Sequence, residues 1–167
     1  MVPFLNIFAF GYLYRFSAKM RREGKVRLPD WNDWPGLFAD GLKFGIVWVA
    51  YWLAPILLAF VFFGMFVGLG LGALGYLLVA FVFLIASIMF CSALYRLHMY
   101  SDYKALLDVA LVLQMSCAGV SSFILPVLVF TGFCVLVLPL YGFAFFLGFL
   151  FLISQTSLYF RTHELRR

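Results

Sequence analysis

The sequence predicts an all-α protein of the membrane: a polytopic helical bundle of about four transmembrane helices, with a short N-terminal apolar segment and an interfacial helix. Three observations predict it. The 167 residues are 66% hydrophobic, 21% aromatic and 11% charged, whereas a soluble domain carries about 25% charged residues. A soluble chain of this size has too little interior to hide so much apolar surface, so lipid must cover it. The apolar runs between polar islands reach the roughly 20 residues that a helix needs to cross a bilayer. Finally, the charges cluster at the ends of those runs instead of spreading through them.

Residues 2–14 are apolar and too short to cross alone, so an interfacial or re-entrant helix, or the tail of a truncated span, is expected there. No basic region precedes them, and no cleaved leader is expected. Residues 15–33 carry the basic cluster Arg15, Lys19, Arg21, Arg22, Lys25 and Arg27, followed by Pro29, Asp30, Trp31, Asn32, Asp33 and Trp34. This stretch reads as a polar loop on the membrane surface, with the amphipathic rings of Trp31 and Trp34 at headgroup level. The first span is expected over about 44–66, with a helix starting near Trp34 on an Asp33 cap and a kink at Pro55. Gly64, Gly68, Gly70, Gly72 and Gly75 follow. They read as a tight uncharged turn, and the spacing of Gly64, Gly68 and Gly72 also permits close helix approach.

The second span is expected over about 74–94. It leads into a second polar island with Arg96, His98, Asp102, Lys104 and Asp108, where residues 102–115 have the spacing of an amphipathic in-plane helix. Residues 116–160 form one apolar block, which divides into spans over about 116–137 and 141–160 with a hairpin near Pro139 and a kink at Pro126. Cys91, Cys117 and Cys134 contain no CxxC pair and are expected to be buried free thiols.

All twelve Lys and Arg residues fall within 15–43, 96–104 and 161–167, and the seven acidic residues lie near the same regions. With four spans these regions share one face, and the two opposite turns carry no charge. Basic residues are enriched in cytoplasmic loops. The charged segments 15–43, 95–110 and 161–167 are therefore expected in the cytoplasm, and the chain in the cell membrane.

The residues Gly11, Tyr12 and Arg15, then the basic run, then Leu28, Pro29, Trp31 and Trp34, and finally Asp40, Gly41, Leu42 and Lys43 form a distinctive pattern. It resembles the signature of the DUF4013 family of prokaryotic membrane proteins. The likeness continues weakly through the second polar island and the final helix. Members of that family usually carry a longer apolar segment before the Gly-Tyr pair; here ten residues precede Gly11. The resemblance implies a helical membrane protein of the prokaryotic inner membrane and implies no activity.

No catalytic pattern emerges. His98 and His163 are the only histidines, with no carboxylate or thiolate at ligand spacing, so neither a metal nor a haem cofactor is expected. The span serines have no His and carboxylate partners, and no GxSxG motif occurs. The glycine-rich stretch lacks the Lys-Ser/Thr of a phosphate loop. The expected spans contain no charge, which argues against a self-contained coupled transporter. His98 and Asp108 are the polar side chains of most functional interest. Asp30, Asp33 and Asp40 are expected to cap and to pair, Asp40 with Lys43. The basic cluster suits anionic headgroups, at roughly 1 kcal/mol per cation near the surface, and nucleic acid is not an expected partner. The function expected is that of a non-enzymatic accessory or scaffold subunit contacting lipid and other integral membrane proteins. A homo-oligomeric pore, permease or holin-like protein is the alternative.

Overall fold

The computed structural model describes residues 3–23, 28–100, 106, 108–136 and 141–164. The elements among the described residues are all helices. Helix α1 spans Pro3–Glu23. Helix α2 spans Trp34–Trp48 and continues through a π-helical turn, Val49–Leu53, into α3, Ala54–Gly68. Helices α4 (Gly72–Tyr100), α5 (Val109–Leu136) and α6 (Tyr141–Glu164) complete the bundle. Among the described residues, three helical runs are long and apolar enough to cross a membrane: Trp34–Gly68, Gly72–Met99 and Val109–Gly132. The 24-residue α6, where the fourth span is expected, runs antiparallel to α5. Phe130 sits beside Phe149 at one end of that pair, and Phe123 sits beside Tyr159 at the other.

Helix α1 corrects the expected loop over 15–33. The helix does not stop where the charges begin but carries the basic run as far as Glu23. Lys, Arg and Met are good helix formers, and nothing between Pro3 and Glu23 breaks the ladder. Among the described residues, 28–33 are the non-helical ones ahead of α2. There Asp33 caps α2 as expected, its carboxylate accepting the Gly36 N–H at 3.1 Å.

Pro55 shapes the helix in the turn before it. A proline has no N–H to donate, and its ring collides with the carbonyl four residues back in a regular α-helix. The π turn widens the helix at that point, and the N–H of Ala54 bonds to the Val49 carbonyl instead. Pro126, by contrast, lies inside α5 without ending it.

The α3–α4 turn is shorter than the glycine run suggests. Gly64 and Gly68 belong to α3, and Gly72 and Gly75 to α4. Gly70, at φ +76°, takes the left-handed position. Its N–H reaches the Val67 carbonyl at 3.0 Å, and the Leu71 N–H reaches Phe66 at 2.8 Å. This is the paired helix-end closure of a Schellman motif.

The in-plane helix expected over 102–115 is also corrected. Residues 101–105 and 107 lie outside the described residues. From Val109 onward the chain is the first part of the spanning helix α5, which starts earlier than residue 116. The Pro139 hairpin also lies outside the described residues.

Phe44, Phe90, Phe130 and Phe149 are fully buried where α2, α4, α5 and α6 meet. Their rings pack mainly edge-on or tilted, as in Phe44–Phe90 at 5.2 Å and Phe90–Phe149 at 5.3 Å, which is the arrangement aromatic quadrupoles favour. Hydrogen bonds tie the helices within this apolar body. Trp52 Nε1 donates to Ser87 Oγ at 3.2 Å, and the Ser92 and Ser116 hydroxyls are 3.0 Å apart. Cys91 is buried as expected, but Cys117 is exposed on the outer face of α5.

Candidate functional site

Two glycines set how closely α1 lies on α2. A Cβ on Gly11 would overlap the carbonyl of Leu37, and a Cβ on Gly41 would overlap the carbonyl of Ile7. Only glycine at both positions lets the two antiparallel backbones touch. Their contact places the basic half of α1 beside the N-terminal turns of α2.

Arg15 exploits that placement. Its Nε donates to Asp40 Oδ2 at 2.9 Å and its Nη2 to Asp33 Oδ2 at 2.7 Å. Asp40 accepts a second bond, from Lys43 Nζ at 3.1 Å. The Asp40–Lys43 pair follows from their spacing on a helix. The Arg15 fork holds two carboxylates, one at the cap of α2 and one two turns into it, a geometry a guanidinium satisfies and an ammonium does not. The hydrogen bond to Asp40 is the main influence raising the Arg15 pKa, with Asp33 adding to it against the opposing effect of burial. The bond from Arg15, together with the N–H of Gly36, holds Asp33 below the usual carboxylate range.

The end of α4 closes the site. His98 lies against the Tyr14 ring at 4.3 Å, with Nδ1 2.7 Å from the Leu94 carbonyl and Nε2 3.1 Å from the Tyr14 carbonyl. A neutral imidazole donates to only one of these acceptors. Arg21 donates to the His98 carbonyl at 2.6 Å and lies over the Tyr95 ring at 5.3 Å. Together these elements line an open polar cavity of about 740 Å³, whose lining includes Lys19, Arg22, Asp30, Asn32 and His98.

The sequence-chosen residues divide clearly. Arg15, Lys19, Arg21, Arg22 and His98 come together around the cavity, while Lys25 and Arg27 lie outside the described residues. Trp31 stacks on Tyr12 at 4.5 Å and Trp34 meets Phe8 edge-on at 5.4 Å; both remain exposed. Gly64, Gly68 and Gly72 lie at the far end of the bundle. A Cβ on Gly64 or Gly68 would meet nothing, and one on Gly72 only Val67 at 3.8 Å. Asp108 caps α5, accepting the Leu111 N–H at 3.2 Å, and stands 4.0 Å from Arg96. Sequence reasoning passed over Arg96 itself, which is buried and donates to the Asp108 carbonyl at 3.3 Å. It also missed the joint role of Gly11 and Gly41, although the family pattern contains both. Among the described residues no three His, Cys, Asp or Glu side chains gather as a metal site.

Residues 1–105, which contain the α1–α2 contact, the Arg15 fork and the cavity, match the family model described as "Protein of unknown function (DUF4013)". The chain belongs to the DUF4013 family. The match ends close to the C-terminal end of α4, so the whole cavity lies in the DUF4013 region. No curated protein and no solved structure matches the chain.

Proposed function

We propose that this DUF4013 chain is a non-enzymatic accessory or scaffold subunit of a larger complex in the inner membrane, with its charged end in the cytoplasm. One observation carries the reading. Gly64 and Gly68 lie one turn apart on α3 and face open space. Their neighbours Leu57, Leu58, Val61 and Met65 are exposed as well. A glycine within a helix costs roughly 0.5–1 kcal/mol relative to alanine, and neither residue recovers that through contacts inside the chain. A small-residue pair one turn apart lets a helix from another membrane protein approach closely. The polar end supports the same reading, because Arg15, Asp33, Asp40 and Lys43 are engaged in bracing α1 against α2. The cytoplasmic placement follows from the enrichment of Lys and Arg on that side of membranes.

The test is purification of the full chain from its native membrane in mild detergent, as wild type and as Gly64→Ile/Gly68→Ile. The wild type is expected to bring down a membrane protein in stoichiometric amount. The double variant is expected to lose that protein while accumulating normally. A wild-type monomer would overturn the proposal. A homo-oligomer held through these glycines would replace the accessory reading with that of a self-assembling pore.

A further inference from the structure

The cavity at the polar end holds charges of both signs that the brace does not use. Lys19 and Arg22 on α1 line it and take no ion pair among the described residues. Glu23 and Asp30 line the same space and are likewise without a salt bridge among the described residues. Asn32 and His98 also line it, beside the engaged charges of Arg15, Arg21, Asp33, Asp40 and Lys43. At about 740 Å³ the space falls within the range of small-molecule sites, roughly 300–1,000 Å³. Part of its wall is anchored, since Arg15 is clamped between Asp33 and Asp40, and Arg21 is tied to His98.

Its position in the fold narrows the ligand. The exposed rings of Trp31, in the loop that forms one wall, and of Trp34, at the start of α2, lie beside it, and Trp marks the headgroup layer. The spanning helices leave this same end of the bundle. A purely anionic ligand would meet Glu23 and Asp30 as repulsive neighbours. A ligand with an anionic and a cationic group satisfies both sets. We propose that the cavity binds a zwitterionic phosphodiester headgroup bearing a primary ammonium, with the phosphate between Lys19 and Arg22 and the ammonium towards Glu23 and Asp30. A primary ammonium donates three hydrogen bonds, as the ammonium of lysine does, whereas a trimethylated one donates none.

This inference needs the membrane placement and is independent of any protein partner, because the purified chain alone tests it. Native mass spectrometry of the detergent-solubilised full chain would compare added phosphatidylethanolamine, phosphatidylcholine and phosphatidylglycerol, with inorganic phosphate as a competitor. The ethanolamine lipid is expected to be retained at least tenfold more than the choline lipid. Lys19→Gln/Arg22→Gln should lower retention of the ethanolamine and glycerol lipids alike, and Lys19→Arg/Arg22→Lys should restore it. Glu23→Gln/Asp30→Asn should lower the ethanolamine lipid alone, which keeps the test decisive if the first pair misfolds. Equal retention of all three lipids, or indifference to both pairs, would overturn the proposal. Occupancy by inorganic phosphate without lipid discrimination would overturn the headgroup as its source.

Discussion

Arg21 donates a 2.6 Å hydrogen bond to the carbonyl of His98, 77 positions further along the chain. The bond joins the first polar island of the sequence to the second. Between them the chain runs out through α2 and α3, turns at Gly70, and returns through α4. The bond therefore requires an even number of crossings between the islands. With Arg96 near Asp108 at the start of α5, it gathers the charges at one end of the bundle. In a cysteine-free background, an impermeant maleimide applied to intact cells should label Gly70→Cys and leave Arg22→Cys and Asp108→Cys unlabelled until the membrane is opened. Labelling of Arg22→Cys and Asp108→Cys from outside would reverse the proposed orientation, and labelling of only one of them would contradict the fold.

The contact of α1 with α2 predicts an asymmetry among the glycines. Gly11→Ala forces a methyl group into the Leu37 carbonyl, and backbone cannot rotate away as a side chain can. Overpacking of this kind costs about 1–3 kcal/mol, so thermal unfolding in detergent should show a clear loss. Gly64→Ala meets open space and should be neutral or gain up to roughly 1 kcal/mol in the isolated chain, because alanine is the better helix former. Equal effects at the two sites would refute the close backbone contact.

That asymmetry also shows what the sequence makes legible. The Asp33 cap can be read because a cap is local, its acceptor and donor being three residues apart. The position of the α3–α4 turn can be read from its glycines and lack of charge, although which glycine takes the left-handed conformation cannot. The course of α1 cannot be read by treating charge as a sign of a loop, because Lys and Arg favour helix as well as water. The Arg15 fork joins positions 18 and 25 residues apart, and His98 reaches Tyr14 across 84. No periodicity encodes such distances. A glycine that brings two backbones together looks, in sequence, like one that merely weakens a helix.

Trp52 and Ser87 offer a test within the apolar body. Ser87→Ala removes the acceptor of the indole N–H and leaves that donor unpaired where no water can replace the serine. Hydrogen bonds between membrane helices are worth about 0.6 kcal/mol on average, so a loss of that order is expected. Trp52→Phe combined with Ser87→Ala should cost less than the sum of the two single changes, since the second change removes a group the first has already stranded. Strict additivity in this double-mutant cycle would show that the two side chains do not interact.

The Arg15 fork makes a prediction about both residue type and pH. Arg15→Ala should destabilise the chain by about 1 kcal/mol, the scale of a partly exposed pair, and should loosen α1 first. Arg15→Lys should recover little of this, because one ammonium cannot reach Asp33 and Asp40 in the two directions that Nε and Nη2 provide. Asp33 sets the sign of the pH dependence. The bond from Arg15, with the Gly36 N–H, lowers its folded pKa below the ordinary 3.8. The folded state therefore binds fewer protons at this carboxylate than the unfolded state does. Its contribution is fully present above about 3.8 and is lost as pH falls further, through the depressed folded value. Asp33→Asn should remove that part of the acid sensitivity while keeping a side-chain oxygen to cap α2. Hydrogen exchange in detergent should then show α1 opening earlier and α2 keeping its protected first turn. Simultaneous loss of both helices would mean that the cap, and not the fork, holds this end together.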